Sequence, residues 1–181
     1  MIFTKQKIQE VILISPNKII DSRGFFSEIF RLKSFEEFIG KKINFVQENE
    51  SYSFKNVLRG LHFQQPPFSQ SKLIRVLEGE IIDFAVDIRK NSPTFSQHVA
   101  VNLSKESYNQ LFVPRGFAHG FFVLSDYAIV NYKVDNYFSS KHDGGINFFD
   151  RSLGISEEII KYKYILSEKD KNLLNIDNLY N

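Results

Sequence analysis

Lys72-Leu73-Ile74-Arg75-Val76-Leu77-Glu78-Gly79-Glu80-Ile81-Ile82-Asp83-Phe84-Ala85-Val86-Asp87-Ile88-Arg89 is the stretch that decides the fold. Two apolar runs rich in β-branched residues flank a single glycine, which reads as two strands joined in a hairpin through Gly79. The same signal continues downstream. Gln97 to Leu103 alternates around Val99, Val101 and Leu103, and Asn109 to Pro114, Phe117 to Leu124 and Tyr127 to Val134 are further short apolar segments separated by turn residues. Nineteen Phe and eight Tyr with no Trp add to the case, because aromatic rings favour a pleated, half-buried surface. Short strands at this spacing predict an all-β sandwich or barrel. Helix is expected only at the margins. Ser34-Phe35-Glu36-Glu37 reads as a capping box with Gly40 as the stop. Ser156-Glu157-Glu158 and Ser167-Glu168-Lys169-Asp170 read as helix starts in a helical tail packed on the β body.

The 181 residues show no linker, repeat or low-complexity tract, so one domain over 1–181 is expected. Charged residues make up 24% and the net charge is only +2, without a Lys/Arg run. Nucleic acid and membrane surfaces are therefore poor partners for this chain. The absence of cysteine removes disulfides, thiolate metal sites and cysteine nucleophiles. Met1 to Glu10 lacks the apolar stretch of a signal peptide, and no apolar run nears the ~18 residues of a membrane span, so a cytoplasmic location is expected.

Chemistry has few places to sit. Of four histidines, His62 lies in Val57-Leu58-Arg59-Gly60-Leu61-His62-Phe63-Gln64 and His119 in Pro114-Arg115-Gly116-Phe117-Ala118-His119-Gly120. In a regular strand Arg59 and Leu61 would share one face, Gly60 and His62 the other. A metal-holding cupin barrel offers His-x-His with a carboxylate soon after. His62-Phe63-Gln64 has neither second histidine nor carboxylate, too few ligands for most first-row metals, so no metal is expected. Cations and amides suited to a phosphorylated ligand cluster instead. They are Arg23 beside Gly24, the run Gln47-Glu48-Asn49, Arg59 and Lys72.

Arg23-Gly24-Phe25-Phe26, residues 57–64, Ala85-Val86-Asp87-Ile88-Arg89 with Ser92-Pro93-Thr94-Phe95, and Pro114-x-Gly116-Phe117-Ala118-His119-Gly120-Phe121 together resemble the dTDP-4-dehydrorhamnose 3,5-epimerase family. The likeness runs from about residue 8 to about 150 and resumes around Ser167 to Asp170. It implies a cupin-like jelly-roll barrel, a homodimer, and a nucleotide-linked 4-keto-6-deoxy sugar as substrate, epimerised without metal or redox cofactor. Carried over by position, it implies His62 as base, Tyr132 as acid on the opposite face, Asp170 as the carboxylate orienting the histidine, and Lys72 near the sugar ketone. Arg23, Glu28, Gln47, Asn49, Arg59, His119 and Lys169 match ligand-contacting positions, as does Asp143 where the family often has Glu.

These groups suit the reaction. A proton α to a ketone leaves only if the enolate oxygen is stabilised as charge develops, and a lysine can supply that. An imidazole has an ordinary pKa of about 6.5, near working pH. A phenol across the ring supplies the proton from the other side, without which the base only returns what it took. Three positions depart from the family pattern. Ile19 and Phe138 stand where an aromatic residue and a tyrosine are usual, and Ser156-Glu157-Glu158 replaces a Trp-Pro segment; Glu48 for Asp is a mild change. A GDP-linked hexose or heptose is therefore kept beside dTDP. Single-centre epimerisation, 3,4-ketoisomerisation, a non-catalytic cupin that binds a sugar or nucleotide, and a metal-dependent cupin oxygenase are the rival functions.

Overall fold

The computed structural model describes residues 1–159 and 161–180; the side chains of Ser156 and Glu158, at one expected helix start, lie outside the described residues. Among the described residues, thirteen strands and three short α-helices follow in chain order. The strands are β1 (Ile2–Lys5), β2 (Ile12–Ser15), β3 (Ile19–Asp21), β4 (Gly24–Phe26), then, after helix α1 (Leu32–Ile39), β5 (Gln47–Phe54) and β6 (Leu58–Gln64). Next come β7 (Lys72–Glu78), β8 (Glu80–Asp87), β9 (His98–Ser104), β10 (Gln110–Val113), β11 (Phe117–Val123), β12 (Tyr127–Val134) and β13 (Asp143–Gly145), before α2 (Ser156–Ile159) and α3 (Glu168–Lys171).

Two antiparallel sheets face each other, ordered β1-β2-β10-β7-β12-β5 and β13-β6-β11-β8-β9, with β3-β4 a separate hairpin. This is the cupin-like jelly roll. Alternation decides which residues meet between the sheets. Ile74, Val76, Ala128 and Val130 from the first pack with Ile81, Ala85, Phe117 and Phe121 from the second. The outer face of the first sheet is covered by α1, whose buried Phe35 meets Phe112 edge-on at 4.9 Å. Outside the second sheet, Phe84, Val86 and Phe122 are covered by the tail through Phe148, Leu153 and Ile176.

Three expectations need correction. Strand β7 has the expected limits and β8 ends two residues early, at Asp87, but the two form no hairpin, because they belong to different sheets. Gly79 turns the chain around the barrel corner at φ +80°, where an added Cβ would lie 2.1 Å from the Tyr127 carbonyl oxygen. Helix α1 begins at Leu32, with Arg31 at the N-cap position making no side-chain cap, so Ser34 lies inside the helix. Packing of Phe35 sets the helix position, and Glu36 accepts from the Ile43 N–H at 3.0 Å instead of capping. Gly40 does end the helix, at φ +69°. The tail is a series of short turns of helix, among which Ser167 caps α3 by accepting from the Asp170 N–H.

Strand β6 is not regular either. Its pairing with β11 runs His119 to His62 and then shifts, so that Phe121 faces Arg59. This bulge reverses the parity of the strand. Leu61 packs outward with Leu58 and Phe63, while Arg59 turns toward β5 and joins the interior side with His62. Gly60 permits it: φ is +107°, and a Cβ there would sit 2.7 Å from the His119 carbonyl oxygen.

Candidate active site

The bulge aims His62 into a cleft of about 270 Å³ at the barrel mouth. Its Nε2 lies 2.6 Å from Oδ1 of Asp170, which arrives from α3, 108 residues away. A carboxylate only accepts, so Nε2 carries the proton and Nδ1 is the nitrogen left to act as base. Asp170 is held in place by the Gly60 N–H, which donates to its Oδ2 at 3.2 Å. Burial pushes its carboxyl up, but the hydrogen bonds from His62, Gly60 and the Ser167 hydroxyl outweigh that and hold it below the usual carboxylate range.

Lys72 reaches the same cleft from β7, where alternation places it with Ile74 and Val76 on the inner face. Its Nζ donates to the His62 carbonyl oxygen at 3.3 Å. Burial pulls its pKa down to about 8, against the charges of Asp83 and Asp143, which push it up. Tyr132 stands on β12 directly opposite Asn49 of β5, and the two side chains hydrogen-bond. Burial raises its pKa above the ordinary phenol value, with the Arg59 guanidinium opposing the shift. His62 and Tyr132 come from different sheets, so imidazole and phenol project from the two walls of the cleft.

Gln47, Asn49, Asp143 and Lys169 line the cleft as well. Asp143 and Lys169 form an ion pair at 2.5 Å. Arg59 lies beside Tyr132, its Nε donating to Ser53 Oγ at 2.9 Å. His119 is buried beneath the site, with Nε2 at 3.0 and 2.9 Å from the two oxygens of Asp83. Burial pushes the Asp83 carboxyl up and the His119 imidazole down. The motifs do not single out Asp83, whose signal in the sequence is a lone charge inside the apolar run of β8. Gln64 and Gln70, also on the cleft wall, carry no such signal.

Arg23 and Glu28 are not brought to this cleft within the chain. Arg23 pairs with Asp21 at 2.6 Å at the tip of the β3–β4 hairpin, and its side chain is 87% exposed. Glu28 pairs with Arg31 at 2.7 Å. Neither is among the lining residues. Among the described residues no three His, Asp or Glu side chains stand close enough together to hold a metal ion. A larger cavity of about 420 Å³ lies beyond the wall made by Phe63, Gln64 and Gln70. Its one cation, Arg89, is already matched by Asp87 and Glu10, and it holds no acid–base pair. The smaller cleft is where chemistry is possible.

What that cleft offers is an oriented imidazole, a buried ammonium and a phenol across from the imidazole. This set suits removal and return of a proton on a carbon next to a carbonyl. The comparisons agree. Residues 5–178 match the family model described as dTDP-4-dehydrorhamnose 3,5-epimerase. The enzyme of that name from Shigella flexneri is 49% identical over 168 residues, 93% of this chain and 92% of that protein. A crystal structure of the Elizabethkingia anophelis enzyme of that name superposes with a TM-score of 0.94 at 43% identity, covering 98% of this chain and 97% of the other. A Legionella pneumophila dTDP-6-deoxy-D-glucose-3,5-epimerase in complex with dTDP-4-keto-L-rhamnose gives a TM-score of 0.89 at 42% identity, covering 97% and 92%. Matched along nearly its whole length by model, sequence and structure alike, the chain belongs to the dTDP-4-dehydrorhamnose 3,5-epimerase family.

Proposed function

We propose that this chain inverts C3 and C5 of a dTDP-linked 4-keto-6-deoxy sugar by proton abstraction and reprotonation. The observation that carries this reading is the placement of the His62–Asp170 pair and Tyr132 on opposite walls of one cleft that Lys72 also lines. His62 Nδ1 takes the proton from the carbon beside the ketone. The Lys72 ammonium stabilises the enolate oxygen, and Asp170 stabilises the imidazolium that forms. Tyr132 then returns a proton to the other face, helped by the Arg59 charge beside it. Gln47, Asn49, Arg59, Asp143, His119 and Lys169 are assigned to holding the ligand, some directly and His119 from beneath. Remote contacts to the diphosphate would fix the sugar for transfer. The names of the relatives favour dTDP over GDP as the nucleotide.

The functional unit in this proposal is a homodimer. Ile19, Ile20, Phe25 and Phe26 expose 48–79% of their surface on one small hairpin, an apolar patch that a second copy would cover. Arg23 and Glu28, carried on and just after that hairpin, would then serve the partner's cleft. The test is to incubate dTDP- and GDP-linked 4-keto-6-deoxy sugars in D2O and read deuterium at C3 and C5 by mass and proton NMR. Uptake at both centres of the dTDP sugar is expected. Uptake at one centre would make this a single-centre epimerase, and His62→Ala retaining full exchange would end the assignment of the base.

A further inference from the structure

Asp83 is a buried charge that the proposed reaction leaves without a task. It lies on the inner face of β8 between Ile81 and Ala85 and is fully buried. An ionised carboxylate in such a place is costly unless its oxygens find donors or a counterion. One donor comes from β11. His119 faces Ala85 in register, one inward position along from Asp83, and its Nε2 lies 3.0 and 2.9 Å from the two Asp83 oxygens. A single N–H cannot fill the four acceptor sites of a carboxylate, and the remaining negative charge asks for a second cation. That cation comes from the facing sheet. Lys72 enters the interior from β7, with apolar Val113 and Val134 as its neighbours in register. Lys72 and Asp83 each act on the other's charge.

The other charges around Lys72 are already matched. Asp143 of β13 attracts the ammonium and Lys169 of α3 repels it, and these two pair with each other at 2.5 Å. Asp170 is taken by His62, and the Arg59 charge acts on Tyr132. His119, whose imidazole burial holds neutral, adds no charge of its own. That leaves Asp83 as the unmatched negative charge behind Lys72. We propose that Asp83 is a positioning residue acting through Lys72: from beneath the cleft, its carboxylate is the countercharge that keeps the desolvated ammonium protonated for the ketone oxygen. The inference rests on the reading of Lys72 as the group that stabilises the enolate, and adds the residue that keeps it able to. Asp83 does not line the cleft, so it supplies charge without taking the place of the sugar oxygen.

The test compares pH profiles of kcat/KM for wild type and Asp83→Asn, beside NMR titration of the Lys72 side chain in protein labelled with carbon-13 lysine. Asparagine keeps the size and an oxygen for the His119 N–H but removes the charge. The Lys72 titration and the alkaline limb of the profile should both move down by about one pH unit, a tenfold change in acidity. A merely structural Asp83 would lower the rate at every pH and leave both where they were, and that result would overturn the proposal. An unchanged titration with an unchanged rate would overturn it too, since Asp83 would then carry no charge. A limb that stays while the titration moves would take Lys72 out of the rate, and the proposal with it. Lys72→Met is the second variant, read without activity and with Asp83 intact. The coupling is mutual, so the Asp83 carboxyl should titrate higher there by the same amount. An Asp83 titration that stays in place would contradict the pairing of charges. Should the wild type incorporate no deuterium, the functional reading fails, while the two titrations still decide whether Asp83 sets the charge of Lys72.

Discussion

The ammonium of Lys72 is buried at the cleft floor with its pKa pulled down to about 8, and activity and stability ask opposite things of it. In the proposed reaction the charged form would stabilise the enolate, and it is lost as pH rises through about 8. kcat/KM should therefore fall above that pH, and the limb should vanish with most of the activity in Lys72→Met, as a pH–rate profile would report. For folding the sign reverses. A lysine whose folded pKa lies below the unfolded value of 10.5 penalises the folded state below about 8, and the penalty lifts between 8 and 10.5. Its size is about 3 kcal/mol. Urea midpoints of wild type should rise across that window relative to Lys72→Met; a constant difference between the two would contradict the assignment. Tyr132 makes a separate prediction at the same scale. If base and phenol act from opposite walls, Tyr132→Phe should keep solvent exchange of a substrate proton, through His62, while losing inversion at one centre at least. Proton NMR in D2O separates the two, and equal loss of both would sink the two-wall arrangement.

At the scale of elements, strand limits are legible in the sequence because alternation and turn residues report them directly. Strand β12 runs over the expected Tyr127–Val134, and β8 and β11 end within a residue or two of expectation. Alternation is silent on which sheet a strand joins. A glycine between two apolar runs looks the same in a hairpin and at a barrel corner, so alternation around Gly79 suggests a hairpin where the fold has a corner. The corner makes its own prediction. Gly79→Ala combines a left-handed φ of +80° with a Cβ driven into the Tyr127 carbonyl, and should destabilise the fold by about 2 kcal/mol or more by urea unfolding. A change within about 0.5 kcal/mol would mean the corner relaxes freely. The site was legible in another way. The His62–Asp170 pair spans 108 residues, a distance no local pattern bridges, so only the likeness of motifs linked them. Spacing also gave Arg59 and His62 opposite faces of β6. The bulge at Gly60 reverses this, because two glycines, Gly60 and Gly120, let the backbones of β6 and β11 approach where side chains would collide.

At the scale of the whole molecule, the distribution of expected ligand contacts is itself informative. Most converge on one cleft, while Arg23 and Glu28 sit on or beside an exposed apolar hairpin and pair with their own neighbours. An arginine with 87% of its side chain in solvent cannot clamp a ligand it does not reach, so either its role is absent or a second copy supplies the site. The exposed Ile20 and Phe26 favour the second copy, since patches of this kind mark interfaces. Sedimentation should then give twice the 21.1 kDa chain mass, and Phe26→Asp should halve it. A sharper experiment uses two inactive chains. Arg23→Ala keeps its own His62, and His62→Ala keeps its own Arg23. Refolded together, the mixed dimer contains one cleft in which an intact His62 faces an intact Arg23 from the partner, and epimerisation should return. If each arginine serves its own chain, every cleft in the mixture still lacks one group. The mixture then stays as inactive as its parts, and the hairpin's place in catalysis is lost along with the reason for pairing.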